Sequence, residues 1–90
     1  MNMPCERLLT PGHKEDAVCF YFKEASTLFS GDTLFLESVG RTDLPGGDFE
    51  TLKDSIHTLI STLPDNTTIY PGHGPKTIIS DEVRMNPYFH

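Results

Sequence analysis

The sequence predicts an α/β fold with a mostly antiparallel or mixed sheet, and three features carry that expectation. Val18, Phe20 and Phe22 alternate with Ala17, Cys19 and Tyr21, the two-residue period of a strand covered on both faces. Phe49, Leu52, Ile56, Leu59, Ile60 and Leu63 recur at spacings of three and four, with Lys53, Asp54 and Ser61 between them, the period of an amphipathic helix. Glycine and proline punctuate the intervening segments, so the elements are short and the turns defined.

Taken in order, Glu6 to Thr10 is an extended run that stops at Pro11-Gly12, leaving His13 on a loop. A strand over 17–23 turns at Glu24 to Ser26 into a second strand, Thr27 to Ser30, which ends at Gly31-Asp32. Residues 36–47 contain Gly40, Pro45, Gly46 and Gly47 without a sustained period and are expected to form a long loop. Asp48 is placed to cap a helix over 49–63, which Pro64 terminates. Thr67 to Tyr70 forms a third short strand before the rigid loop Pro71-Gly72-His73-Gly74-Pro75. Ser80, Asp81 and Glu82 are expected to start a last helix that stops before Asn86-Pro87.

A chain of 90 residues has room for one modest core, so residues 1–90 are expected to form a single, partial domain. Thirteen acidic residues against seven basic ones give a net charge of −6 with no basic run, which argues against a nucleic-acid partner. No apolar stretch is long enough to span a bilayer, and Met1 to Leu9 lacks the pattern of an export signal, so no membrane association and a cytoplasmic location are expected. Cys5 and Cys19 are expected to stay reduced, Cys19 as a core residue.

His13, Asp32 and His73 each follow an extended run and adjoin a glycine, so the backbone can bend and the side chains converge. Two imidazoles and a carboxylate suit zinc, with iron as the alternative, and a carboxylate can bridge two cations. His57 lies mid-helix and His90 is terminal, so neither is a candidate ligand. Arg41 either pairs with Asp43 or binds an anionic substrate.

In order, Thr10-Pro11-Gly12-His13, Phe29-Ser30-Gly31-Asp32-Thr33-Leu34-Phe35 and Tyr70-Pro71-Gly72-His73-Gly74-Pro75 resemble the later motifs of the metallo-β-lactamase superfamily. Gly40-Arg41-Thr42-Asp43, Gly46-Gly47-Asp48 and Asn86-Pro87-Tyr88-Phe89 resemble its glyoxalase II-like (hydroxyacylglutathione hydrolase-like) branch. Glu37 stands where that pattern commonly has glycine, and Lys14-Glu15-Asp16-Ala17 replaces a small turn after His13.

The resemblance implies the carboxy-terminal half of an αβ/βα sandwich. It also implies metal ligation by His13 at one ion, by Asp32 bridging both, and by His73 at the second. The family's amino-terminal HxHxDH ligands have no counterpart among the four histidines present. The parent protein is therefore expected to hydrolyse a small-molecule ester or thioester through metal-activated water. The 90 residues alone are expected to be inactive, a folding or interaction piece that self-associates as a homodimer or swapped assembly through its uncovered sheet face. The alternative implied by the Gly40 to Asp43 stretch is a fragment of a mononuclear iron persulfide dioxygenase.

Overall fold

A computed structural model describes residues 4–89, and His90 lies outside them. Among the described residues seven strands and two α-helices form in the order β1 (Glu6–Leu9), β2 (Val18–Phe22), β3 (Thr27–Gly31), β4 (Leu34–Phe35), β5 (Ser38–Val39), α1 (Phe49–Thr62), β6 (Thr68–Pro71), β7 (Thr77–Ile78) and α2 (Ile79–Met85). The α/β class and the mixed sheet are as the sequence implies. The main sheet has the order β1-β2-β3-β6-β7, antiparallel at every junction except the parallel pairing of β3 with β6. Since β1 is antiparallel to β2, and β2 to β3, the strands β1, β3 and β6 all run in one direction.

Alternation along the strands decides which side chains face the helix. Cys19, Tyr21, Leu28 and Ile69 point into the core, where they join Leu52, Ile56, Leu59 and Leu63 of α1 with Leu34 and Ile79. The helix begins as its pattern predicts: the Asp48 carboxylate accepts a hydrogen bond from the Thr51 amide at 3.2 Å. It ends where Leu63 turns extended before Pro64.

The opposite sheet face is open, as expected for the uncovered face of a partial sandwich, and the second apolar surface of β2 lies on it. Phe20, Phe29 and Tyr70 lie side by side across β2, β3 and β6 and are 42%, 46% and 38% exposed. On this face the rings of Phe22, Phe29 and Tyr70 form a ladder, Phe22 edge-on to Phe29 and Phe29 stacked on Tyr70, each pair 5.6 Å apart.

Two expectations give way. Residues 36–47 are not all loop, because β4 and β5 form a hairpin with Leu36 and Glu37 at its turn. Glu37 adopts a left-handed conformation (φ 54°) that a sequence pattern assigns to glycine or asparagine. The second helix begins at Ile79 without a side-chain cap at Ile78, not at Ser80. Its first amides are instead met by the preceding turn, Ile79 donating to the Thr67 carbonyl and Ser80 to that of Asp65, both at 3.0 Å. The two-residue strand β7, paired with β6, is too short to show a period.

Replacing Ile56 with Ala is expected to cost about 2–5 kcal/mol through the cavity left between α1 and the sheet, and Asp48→Ala about 0.5–2 kcal/mol through the lost cap. Urea unfolding of the two variants beside the wild type measures both.

Candidate metal centre

The three shared strand directions bring three strand ends to one edge of the sheet. His13 follows β1, Asp32 follows β3 and His73 follows β6. His13 Nε2 lies 3.7 Å from one Asp32 oxygen and His73 Nε2 lies 3.5 Å from the other, so the carboxylate sits between the two imidazoles.

Each loop is fixed by a different device. After β1 the chain lies flat on α1, with the Pro11 carbonyl accepting from Ser55 Oγ at 2.8 Å and the Gly12 carbonyl from the Asp48 amide at 2.7 Å. Gly12 has φ 142°, and a Cβ there would overlap the backbone of Leu52, so only glycine allows this approach. Beneath the loops, Thr10 Oγ1 meets Thr33 Oγ1 at 3.2 Å and Cys19 Sγ at 3.4 Å. Burial pushes the Cys19 thiol up, against these hydrogen bonds, which leaves it an inert core group. After β6, the Gly72 amide donates to the Gly31 carbonyl at 2.8 Å, tying the His73 loop to the strand end that bears Asp32.

The His13 ring is oriented by the backbone. Its Nδ1 lies 2.8 Å from the Arg41 carbonyl, which can only accept, so Nδ1 carries a proton and donates it there, while Nε2 faces Asp32. His73 is held differently, its ring stacked on Phe35 at a centroid distance of 4.7 Å. The side chains of His13, Asp32 and His73 are 14%, 49% and 78% exposed, so the site passes from a mostly enclosed imidazole to an open one. It faces an open cleft of about 560 Å³ whose walls include Phe35, Leu36, Val39, Arg41 and Pro75.

The spacing fits metal ions and the donor count does not. Two bonds of about 2.0–2.2 Å meeting at a tetrahedral ion hold their donors about 3.4 Å apart, close to both separations here. One ion between His13 and Asp32 and another between Asp32 and His73 would each receive two protein donors, fewer than the three or four of protein zinc sites. Among the described residues no cluster of three or more His, Cys, Asp or Glu encloses an ion position.

A family model described as the metallo-beta-lactamase superfamily matches residues 6–73, most of the chain and two of the three loops in full, ending at His73 of the third. The chain belongs to that superfamily. It is 48% identical over 83 residues to a probable metallo-hydrolase, YqgX, of Bacillus subtilis, covering 92% of this chain and 39% of the relative. It is 45% identical over 83 residues to the hydroxyacylglutathione hydrolase GloC of Haemophilus influenzae, covering 92% of this chain and again 39% of the relative. Among solved structures, TTHA1623 in a di-iron-bound form superposes with a TM-score of 0.91 at 44% identity, over 98% of this chain and 44% of that one. The chain thus spans about two-fifths of the length of the curated metallo-hydrolases it matches.

Within this superfamily fold, the sequence-predicted residues His13, Asp32 and His73 come together. Arg41 lines the same cleft, with its guanidinium engaged by Asp43 in a two-pronged ion pair at 2.8 and 2.9 Å. The Asp43 hydrogen bonds raise the Arg41 pKa, and the Arg41 hydrogen bond lowers that of Asp43. His57 is exposed on α1 and does not line the cleft. Phe35 was legible only as part of a motif, since no sequence period marks a ring that stacks on a distant histidine. In the described structure both cysteines are free.

Gly40 controls how the cleft closes against Asp32. A Cβ at this position would overlap the Asp32 carbonyl oxygen and crowd the His13 side chain. Gly40→Ala is therefore expected to destabilise the fold by about 1–3 kcal/mol through forced displacement. A shifted urea midpoint, together with moved NMR signals for Asp32 and His13, is the outcome to look for.

Proposed function

We propose that the chain is the ligand-bearing second part of a metal-dependent hydrolase that cleaves an ester- or thioester-like bond, and that its 90 residues are inactive alone. The observation that supports this reading is the Asp32 carboxylate flanked by two imidazoles, each addressing a different oxygen. The likeness to GloC favours a thioester among the carbonyl substrates. In this reading His13, Asp32 and His73 would be this chain's share of the ligands of a zinc centre, with iron as the alternative. Such a centre would supply a nucleophilic water at neutral pH and an electrophile for the substrate carbonyl.

The chain's own residues supply orientation and shape. The Arg41 carbonyl fixes the His13 tautomer so that Nε2 is free to coordinate. Phe35, Leu36, Val39 and Pro75 offer an apolar wall for the acyl group. Arg41 stands at the rim as an anion-binding residue for the substrate, in exchange with its partner Asp43.

The decisive protein joins the uncovered amino-terminal part of the Bacillus subtilis relative to this chain. It is expected to bind two metal ions and hydrolyse a hydroxyacyl-glutathione thioester. Asp32→Ala should lower kcat/KM at least about 100-fold, as expected when a shared metal ligand is lost. A folded, metal-loaded hybrid without hydrolysis would sink the proposal, and one iron per protein with oxygen consumption would replace it with the persulfide dioxygenase reading. Zinc-dependent hydrolysis by the purified 90-residue chain would refute its inactivity.

The open aromatic face supports a second proposal, that the 90-residue chain alone pairs with another copy of itself, sheet on sheet. Phe20, Phe29 and Tyr70 form an apolar strip that a lone chain of this length leaves in water. Sedimentation equilibrium is expected to give twice the chain mass, with Phe29→Glu shifting it to one; a wild type that sediments as a monomer contradicts the pairing.

A further inference from the structure

The end of the chain buries a carboxylate that the metal centre does not use. Glu82, on α2, is fully buried, as is Asn86 one turn later. Among the described residues no cation pairs with it, and its carboxylate is met by three donors. Oε1 accepts from the Glu37 amide at 2.8 Å and from Asn86 Nδ2 at 2.9 Å, while Oε2 accepts from Thr77 Oγ1 at 2.7 Å. Asn86 Nδ2 also donates to the Ser38 carbonyl at 3.1 Å. A buried carboxylate leaves a large penalty wherever a donor is missing, so these three bonds fix the α2 side of the knot with little freedom.

Two of the four contacts end on the β4–β5 hairpin, at Glu37 and Ser38. Glu37 is the residue held at φ 54° without being glycine, a conformation that persists only where surrounding bonds over-determine it. The hairpin in turn controls both histidines. Phe35, in β4, stacks on His73, and the strand β5 leads through Gly40 to the Arg41 carbonyl that accepts from His13 Nδ1.

We infer that Glu82 is a positioning residue for the metal centre: by holding the hairpin turn, it sets the His13 tautomer and the placement of the His73 ring. This rests on the reading of both histidines as ligands, but its consequences are present in the metal-free chain. Glu82 touches neither histidine and acts only through Glu37, Ser38 and the segment that follows.

Nitrogen-15 NMR of the histidine rings, recorded without metal and above the imidazole titration range, reads the arrangement directly. Wild-type His13 is expected to show a protonated Nδ1 and an unprotonated Nε2. In Glu82→Ala the pattern should move toward the Nε2–H form that free histidine favours, and the ring-current displacement of the His73 protons by Phe35 should be lost. Glu82→Gln, which keeps the acceptor for Glu37 and Asn86, should restore both. Ile56→Val, which weakens the core beneath α1, should leave both unchanged. A folded Glu82→Ala protein with wild-type ring signals overturns the inference.

Should Glu82→Ala not fold, amide exchange in the wild type decides the matter. The Glu37 amide is expected to exchange as slowly as core amides of β3, and fast exchange there overturns the inference equally. Because neither measurement involves metal or turnover, failure of the hydrolase reading and failure of this one are separable.

Discussion

The parallel pairing of β3 with β6 is the constraint on which the centre depends. With β1 running the same way two strands over, the chain leaves all three strands at the same edge of the sheet, and leaves each one through glycine. Strands of four or five residues are about 13–17 Å long, so reversing any one of them would carry the residue that follows it to the far edge, away from the other two. Convergence of residues 13, 32 and 73 is thus a property of topology before it is one of side chains. The Gly72 to Gly31 hydrogen bond then closes the remaining gap between β3 and β6.

Around that edge, rigidity is unevenly distributed. His13 is mostly enclosed, hydrogen-bonded to the backbone and seated on a loop that lies against α1. His73 is exposed and its ring is braced on one face by Phe35, an interaction worth about 0.5–1.5 kcal/mol between aromatic rings. Asp32, between them, has one oxygen toward each. The two imidazoles are thus constrained unequally, His13 by the backbone and its enclosure, His73 by a single ring contact.

How much of this could be read from the residues follows from the range of the forces involved. The helix over 49–63 announces itself because its signal is local, an apolar stripe with Asp48 before it and Pro64 after it. His13, Asp32 and His73 are legible because each sits in a short motif with its own turn chemistry, although spacing alone does not say that the motifs meet. The hairpin at 34–39 carries no such signal: its turn has Leu36 and Glu37 in place of Asn-Gly, and what holds it is a carboxylate 45 residues away. Glu82 reads as an ordinary acidic residue in the first turn of a helix, where the macrodipole favours it. Only the tertiary fold reveals that it is buried and bonded to a different element. The open aromatic face is half-legible, since a run such as Val18 to Phe22 announces two apolar surfaces without saying what covers the second.

Within this chain, the Arg41 carbonyl, the Ser55 and Asp48 contacts, the Thr10 to Thr33 pair and the Glu82 knot surround His13 and Asp32. Under the proposed two-ion reading, the His13 ring is already oriented by a backbone carbonyl, while each ion would receive two donors from this chain, fewer than the three or four of protein zinc sites. On that reading, the segment that completes the centre has to bring further donors.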